Sequence, residues 1–190
     1  ILVFTKYGII RSRSEFILAR KRKPVTMRDL RVVEAQCVSC GAVGAQADQT
    51  APVRSGRLKL GAVTISGYTA NAGSLLNVDL QAGRFFLPSE EQHAAAVAII
   101  GTDVQDQLFP RLDPIGRTIY VHGYPLRVIG LQTRLGKVLG QSKDNVVFVP
   151  ITFLQKVLTS DEGIALLVRP ARGMEGLAQT EDEVRTLLRS

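Results

Sequence analysis

The chain has 190 residues, of which 45% are hydrophobic and 22% charged, with 17 Gly, 8 Pro and a net charge of +7. That length suits one large domain or two small ones with a real hydrophobic core, and the composition excludes the disordered, collagenous and disulfide-scaffold classes. No run approaches the roughly 18–20 consecutive apolar residues of a membrane-spanning helix, and the chain shows neither an initiator Met nor a signal-peptide pattern, so it is expected to be a piece of a longer protein.

In chain order, Ile1-Leu2-Val3-Phe4-Thr5-Lys6 reads as a strand. Phe16-Ile17-Leu18-Ala19 is expected to return as a second strand and form a hairpin with a basic end. Between Arg11 and Lys23 lie six cations (Arg11, Arg13, Arg20, Lys21, Arg22, Lys23) against Glu15, so a net +5 of the total +7 sits in one segment. The remainder is nearly balanced, with 6% aromatic residues and no Trp. That is poor material for stacking bases, and no nucleic-acid partner is expected.

Thr26 with Asp29 resembles a capping box, and Met27, Leu30 and Val33 share a helical face, which predicts a helix over 27–36. Val53, Leu58, Leu60, Val63 and Ile65 alternate with polar or small residues, and Gly56-Arg57 supplies a turn. Two antiparallel strands are expected between 43 and 69. The small residues Thr69-Ala70-Asn71-Ala72-Gly73-Ser74 punctuate the chain and mark the expected subdomain crossing.

Val97-Ala98-Ile99-Ile100-Gly101 is a run of strand length. Thr102 is expected to cap a short helix through Phe109 that buries Val104 and Leu108 and ends at Pro110. Thr118–Val121 and Leu126–Gly130 flank His122-Gly123-Tyr124-Pro125 as a hairpin, and Asn145 to Pro150 adds a strand. Ala165–Arg169 is a further strand, and Leu177, Val184, Leu187 and Leu188 are spaced for an amphipathic helix over 174–189. The fold class is therefore α+β.

Motifs for chemistry are weak. Gly130-Leu-Gln-Thr-Arg-Leu-Gly136-Lys137-Val138 has five intervening residues where a phosphate loop has four, and Val where the magnesium-binding Ser/Thr belongs. Cys37-Val38-Ser39-Cys40 closes a helix rather than opening one, against the thioredoxin pattern, and a zinc site would need two further ligands from a chain holding only His93 and His122. A local disulfide, two inert thiols, or redox or metal work remain the readings of Cys37 and Cys40. His93, beside an acidic loop, and His122, at a hairpin tip, read as surface residues, and Glu90-Glu91 as carboxylates that point apart. No catalytic, cofactor-binding or metal-ligating residue is assigned.

One ordered pattern is specific as a whole. Asn77 to Phe86, Val97 to Gly101, Leu108 to Ile119 (with Phe109, Asp113, Pro114 and Gly116), Pro125 to Gly130 and Val146 to Pro150 together resemble the MacB-like periplasmic core domain of ABC transporter permeases, densely over about 60–155. The pattern's residues suit structure. Gly83 and Gly116 fit turns with positive φ, Phe85 and Phe86 offer core mass beside Arg84, and Asp113-Pro114 starts a turn. The resemblance implies a porter-like α/β subdomain formed by both chain ends (1–74 and 151–190), with an inserted, mainly β subdomain over 75–150. It further implies a periplasmic, non-catalytic domain of an inner-membrane protein that passes ATP-driven motion to the export of a substrate or lipoprotein. The implied partners are the permease's transmembrane helices and ATPase domain, a second permease copy and a periplasmic adaptor. The alternative is an FtsX-like tethered regulatory domain that recruits a periplasmic partner.

Overall fold

The computed structural model describes residues 1–6, 14, 17, 20–158 and 163–189. The elements are β1 (Leu2–Phe4), α1 (Met27–Gln36), β2 (Cys40–Ser55), β3 (Leu58–Tyr68), α2 (Ala72–Leu75), β4 (Leu80–Gly83), α3 (Pro88–Gln92), β5 (Val97–Ile100), α4 (Thr102–Leu108), β6 (Thr118–Val121), β7 (Tyr124–Gln132), β8 (Lys137–Val138), β9 (Gln141–Ser142), β10 (Val146–Pro150), α5 (Ile151–Val157), β11 (Ala165–Pro170) and α6 (Leu177–Leu187). Contacts divide the chain into two compact units, Ile1–Ala47 with Ser160–Ser190, and Asp48–Thr159. The architecture is α+β, and β2 gives its first half to one unit and its second half to the other.

In the first unit β11 is central, antiparallel to β1 through Phe4↔Leu166 and to β2 through Val168↔Val43 and Leu166↔Ala45. Leu166, Leu167 and Val168 are buried, the signature of a central strand covered on both faces. Helices α1 and α6 bury Leu30, Val33 and Val184. The start of α1 follows the capping logic of its sequence, since the Thr26 N–H donates to Asp29 Oδ2 at 2.7 Å. The basic-tipped hairpin expected from 1–10 and 16–19 falls largely outside the described residues. Within its return strand, Ile17 is helical instead.

The second unit holds a mixed sheet whose pairing closes on itself. The order β2-β3-β10-β5-β7 runs edge to edge, and β6 pairs with both β7 and β2 (Val53↔Val121), completing a six-strand ring. Two of its ladders are parallel, β3 with β10 and β5 with β7, and β4 adds to the far half of β7. Closure removes the free edges that an open sheet of these lengths would carry. Ile65, Ile99, Ile119, Leu126 and Val147 are fully buried in this unit.

Two local expectations need correction. Thr102 does not cap α4: Gly101 is the N-cap, and the Thr102 side chain turns inward and is buried, where its Oγ1 has no hydrogen-bond partner among the described residues. The hairpin between β6 and β7 turns on two residues, His122 (φ 49°) and Gly123 (φ 78°), with Tyr124 and Pro125 already in the strand. Paired positive φ values are the signature of a type I′ turn, whose twist matches that of the strands it joins. The small-residue stretch after Tyr68 contains the one-turn helix α2, within the second unit.

Candidate functional site: the Gly83–Phe86 corner

The densest part of the sequence pattern folds where β4 leaves its pairing with β7. Gly83 sits opposite Gly130 at φ +74°, and a Cβ on it would lie 2.1 Å from the Ile129 carbonyl oxygen. Only glycine meets both demands, a left-handed backbone and an approach this close. Gly130 has the reciprocal constraint, since its absent Cβ would stand 2.8 Å from the Arg84 carbonyl oxygen and 3.0 Å from Ile99 Cγ1. The Arg84 N–H then donates to the Ile129 oxygen at 3.0 Å and locks the corner.

Beyond the corner the side chains fan out to three partners. Arg84 makes a two-pronged ion pair with Glu90 of α3, both bonds 2.8 Å long. Glu90 also accepts the Leu87 N–H at 2.7 Å, so its carboxyl lies below the usual carboxylate range, chiefly through Arg84. Phe85 lies over Gly73, where an added Cβ would come within 2.9 Å of the ring, and stacks tilted on the buried Phe86 at 4.2 Å. Neighbouring Glu91 points elsewhere. Its carboxylate accepts the Ala70 N–H at 2.7 Å, and its carbonyl accepts the Thr152 hydroxyl. Glu90 and Glu91 therefore serve different neighbours and make no acid–base pair.

The other pattern residues build a second turn. Asp113 Oδ1 accepts the Ile115 N–H at 3.0 Å, the buried Pro114 gives its carbonyl to Arg117 N–H at 3.1 Å, and Gly116 at φ +82° donates to the Val128 oxygen at 2.7 Å. Asp113 and Pro114 thus shape the approach to β6 through the Asx turn their residue types favour. Phe109 is buried at the end of α4, and Pro150 is the last buried residue of β10, paired with Tyr68. The structure brings Gly83, Arg84 and Gly130 together. Pro150 stands in the β3–β10 ladder, and Phe109, Asp113 and Gly116 lie in the connection from α4 to β6 of the same unit.

The chemistry available there is limited. A cleft of about 300 Å³ opens beside Arg84, Glu90 and Arg127, but the Arg84 fork is already spent on Glu90. The phosphate-loop resemblance at 130–138 dissolves in the fold, because Gly130 is inside a strand and the Leu135 and Gly136 N–H groups both donate to the Asp144 carboxylate at 2.8 Å. His93 and His122 are exposed, and among the described residues no three His, Cys, Asp or Glu side chains gather as metal ligands.

In the first unit Cys37 and Cys40 are joined as a disulfide, with Cα atoms 5.5 Å apart, at the passage from α1 to β2. The loop it closes is gripped by α6. Glu183 accepts the Val38 N–H at 2.8 Å, the Ser39 N–H at 3.0 Å and the Ser39 hydroxyl, while Thr180 Oγ1 donates to the Ser39 oxygen at 3.1 Å. Sequence reading missed this clamp. Its only local trace is an acidic residue on an amphipathic helix, and its partner lies 144 residues away.

The architecture matches the extracytoplasmic domains of ABC-type transporters. The periplasmic region of MacB from Actinobacillus actinomycetemcomitans superposes with a TM-score of 0.76 over 98% of this chain and 82% of that one, at 13% identity. The extracellular domain of the noncanonic ABC-type transporter YknZ from Gram-positive bacteria gives 0.73 over 86% and 81%, at 20% identity. In sequence, the macrolide export ATP-binding/permease protein MacB of Azoarcus sp. (strain BH72) is 31% identical over 126 residues, covering 66% of this chain and 19% of that protein. The pyoverdine export ATP-binding/permease protein PvdT of Pseudomonas syringae pv. tomato is 30% identical over 65% and 19%. The chain thus spans about a fifth of these relatives' length. The model of the MacB-like periplasmic core domain matches residues 3–187, and the chain belongs to that family of extracytoplasmic permease domains.

Proposed function

We propose that this domain is a non-catalytic relay in an ABC exporter. It couples ATP-driven movement of transmembrane helices and an ATPase domain to the release of cargo outside the membrane, working beside a second permease copy and a periplasmic adaptor. The observation that carries this reading is the use of the family pattern: Gly83, Arg84 and Gly130 are spent on backbone closeness and an internal ion pair, which suits a stiff body that transmits displacement. In this reading both chain ends form the porter-like part, and the mainly β part is inserted between them. Names of the relatives speak of macrolide and pyoverdine export. The residues of this chain select neither cargo.

The second reading, a tethered domain that recruits a periplasmic partner, draws on a different observation. Around the β8–β9 hairpin Leu135, Val138 and Leu139 are exposed, Leu139 completely. Such a cluster of apolar side chains in water favours a protein partner, and an adaptor or a recruited enzyme would serve equally.

The test uses the intact membrane protein with Lys59→Cys as a reporter thiol on the exposed start of β3. A membrane-impermeant maleimide added outside inner-membrane spheroplasts is expected to label it fully. Labelling only after the membrane is opened would place the domain on the other side and end both readings.

A further inference from the structure

The first unit contains a groove of about 870 Å³ between β1 and the last turn of α6. Its inner surface is apolar: Phe4 and Val25 are buried, and Leu2 and Leu188 are half-buried. Its outer edge is cationic, with Arg22, Lys23, Arg185 and Arg189 all exposed. The acid lining it, Glu181, is bonded to Arg185 at 2.7 Å, and Arg22, Lys23 and Arg189 have no carboxylate within ion-pair reach among the described residues. Val3 of β1 and the preceding Ile1 also line the groove and are 58% and 50% exposed.

A rim with four exposed cations and one carboxylate among its described residues repels itself, and an apolar floor open to water is costly, so one ligand that relieves both must be anionic and amphiphilic. Free phosphate leaves the floor wet, and nucleic acid asks for aromatic faces that this rim lacks. Long Arg and Lys stems lie along apolar surface while their heads reach phosphate, the arrangement they adopt at a bilayer interface. The geometry points to this groove as a seat for the headgroup of an anionic phospholipid, holding the first unit on the membrane surface. The groove volume lies within the range of pockets that enclose one such moiety. The inference rests on the proposed extracytoplasmic role only for the nearness of a bilayer, and its test needs no transport.

The experiment is flotation of the purified chain with vesicles of phosphatidylcholine alone or mixed with phosphatidylglycerol. Binding is expected only to the mixed vesicles, weakening with added salt. Each neutralised cation near an anionic surface costs about fivefold, so Arg22→Gln/Lys23→Gln/Arg189→Gln is expected to bind roughly a hundredfold more weakly. The control Arg57→Gln/Lys59→Gln, at the β2–β3 turn, removes exposed charge elsewhere and is expected to bind as the parent does. Circular dichroism checks that both variants fold. Equal loss in the control would reduce the effect to net charge and overturn the site. Indifference to phosphatidylglycerol would overturn the ligand class. Glycerol phosphate that saturates the groove without vesicles, or a poly-glutamate peptide that binds where vesicles do not, would replace the membrane with a soluble anion or an acidic protein segment. A failed flotation leaves the thiol-labelling test of the extracytoplasmic location untouched.

Discussion

Glu183 and Ser39 stand 144 residues apart in sequence and meet through two hydrogen bonds, one from the Ser39 N–H at 3.0 Å and one from its hydroxyl. With the Val38 N–H they make a carboxylate clamp that ties the C-terminal helix to the disulfide loop. The clamp lowers the Glu183 pKa, first through the Ser39 hydroxyl and then through the two backbone donors. A carboxyl whose folded pKa is depressed stabilises the fold fully above its ordinary value of about 4.5 and loses that contribution as pH falls through the lower folded value. Glu183→Gln is therefore expected to cost about 1 kcal/mol at neutral pH, with the partial exposure of the site holding the figure there, and almost nothing in strong acid. Urea denaturation at the two pH values checks it; an equal cost at both would show that the charge is irrelevant.

Gly83 and Gly116 share a positive φ but not their surroundings. A Cβ at Gly116 meets open space, whereas at Gly83 it strikes the Ile129 oxygen. Gly116→Ala is expected to cost about 1 kcal/mol for the left-handed backbone alone, and Gly83→Ala about 3 kcal/mol or more once overpacking is added. Parallel denaturation curves measure the gap, and similar midpoints for the two variants would contradict the packed corner.

Reduction of the disulfide acts on a very short loop. The chain-entropy account gives roughly 2 kcal/mol for a ring of this size, so Cys37→Ser/Cys40→Ser is expected to melt several degrees lower. The same variant is expected to expose the amides of Val38 and Ser39, because their orientation toward Glu183 depends on the closed loop. Hydrogen exchange at those two amides reports it. Unchanged protection would mean that the clamp holds without the bond.

Arg84 and Glu90 form a forked pair with Arg84 half-exposed. A double-mutant cycle on Arg84→Met and Glu90→Gln is expected to give a coupling of about 0.5–1 kcal/mol, in the range of exposed pairs with good geometry. Arg84→Lys keeps the charge and loses the fork, and is expected to forfeit most of that coupling.

How far the sequence speaks depends on the range of each interaction. The α1 start was legible because Thr26 and Asp29 are three residues apart, and the β6–β7 hairpin because its turn residues are adjacent. The ring closure through Val53↔Val121 and the parallel ladder Pro150↔Tyr68 were not, since alternation marks a strand and leaves its neighbour unnamed. Thr102 was misplaced as a cap because a hydroxyl before a helix looks the same whether it turns outward or into the core. In the corner, Gly83 was legible as a left-handed turn. Its near contact with Ile129 and the reciprocal demand on Gly130 belong to the fold.

The relay itself is tested most directly by electron–electron resonance in the intact transporter, reconstituted in liposomes with a spin label at Lys59→Cys in both copies. The expected result is an inter-copy distance distribution that shifts when ATP binds and returns after hydrolysis. A distribution unmoved by nucleotide, in a preparation that hydrolyses ATP, would contradict a domain that carries motion.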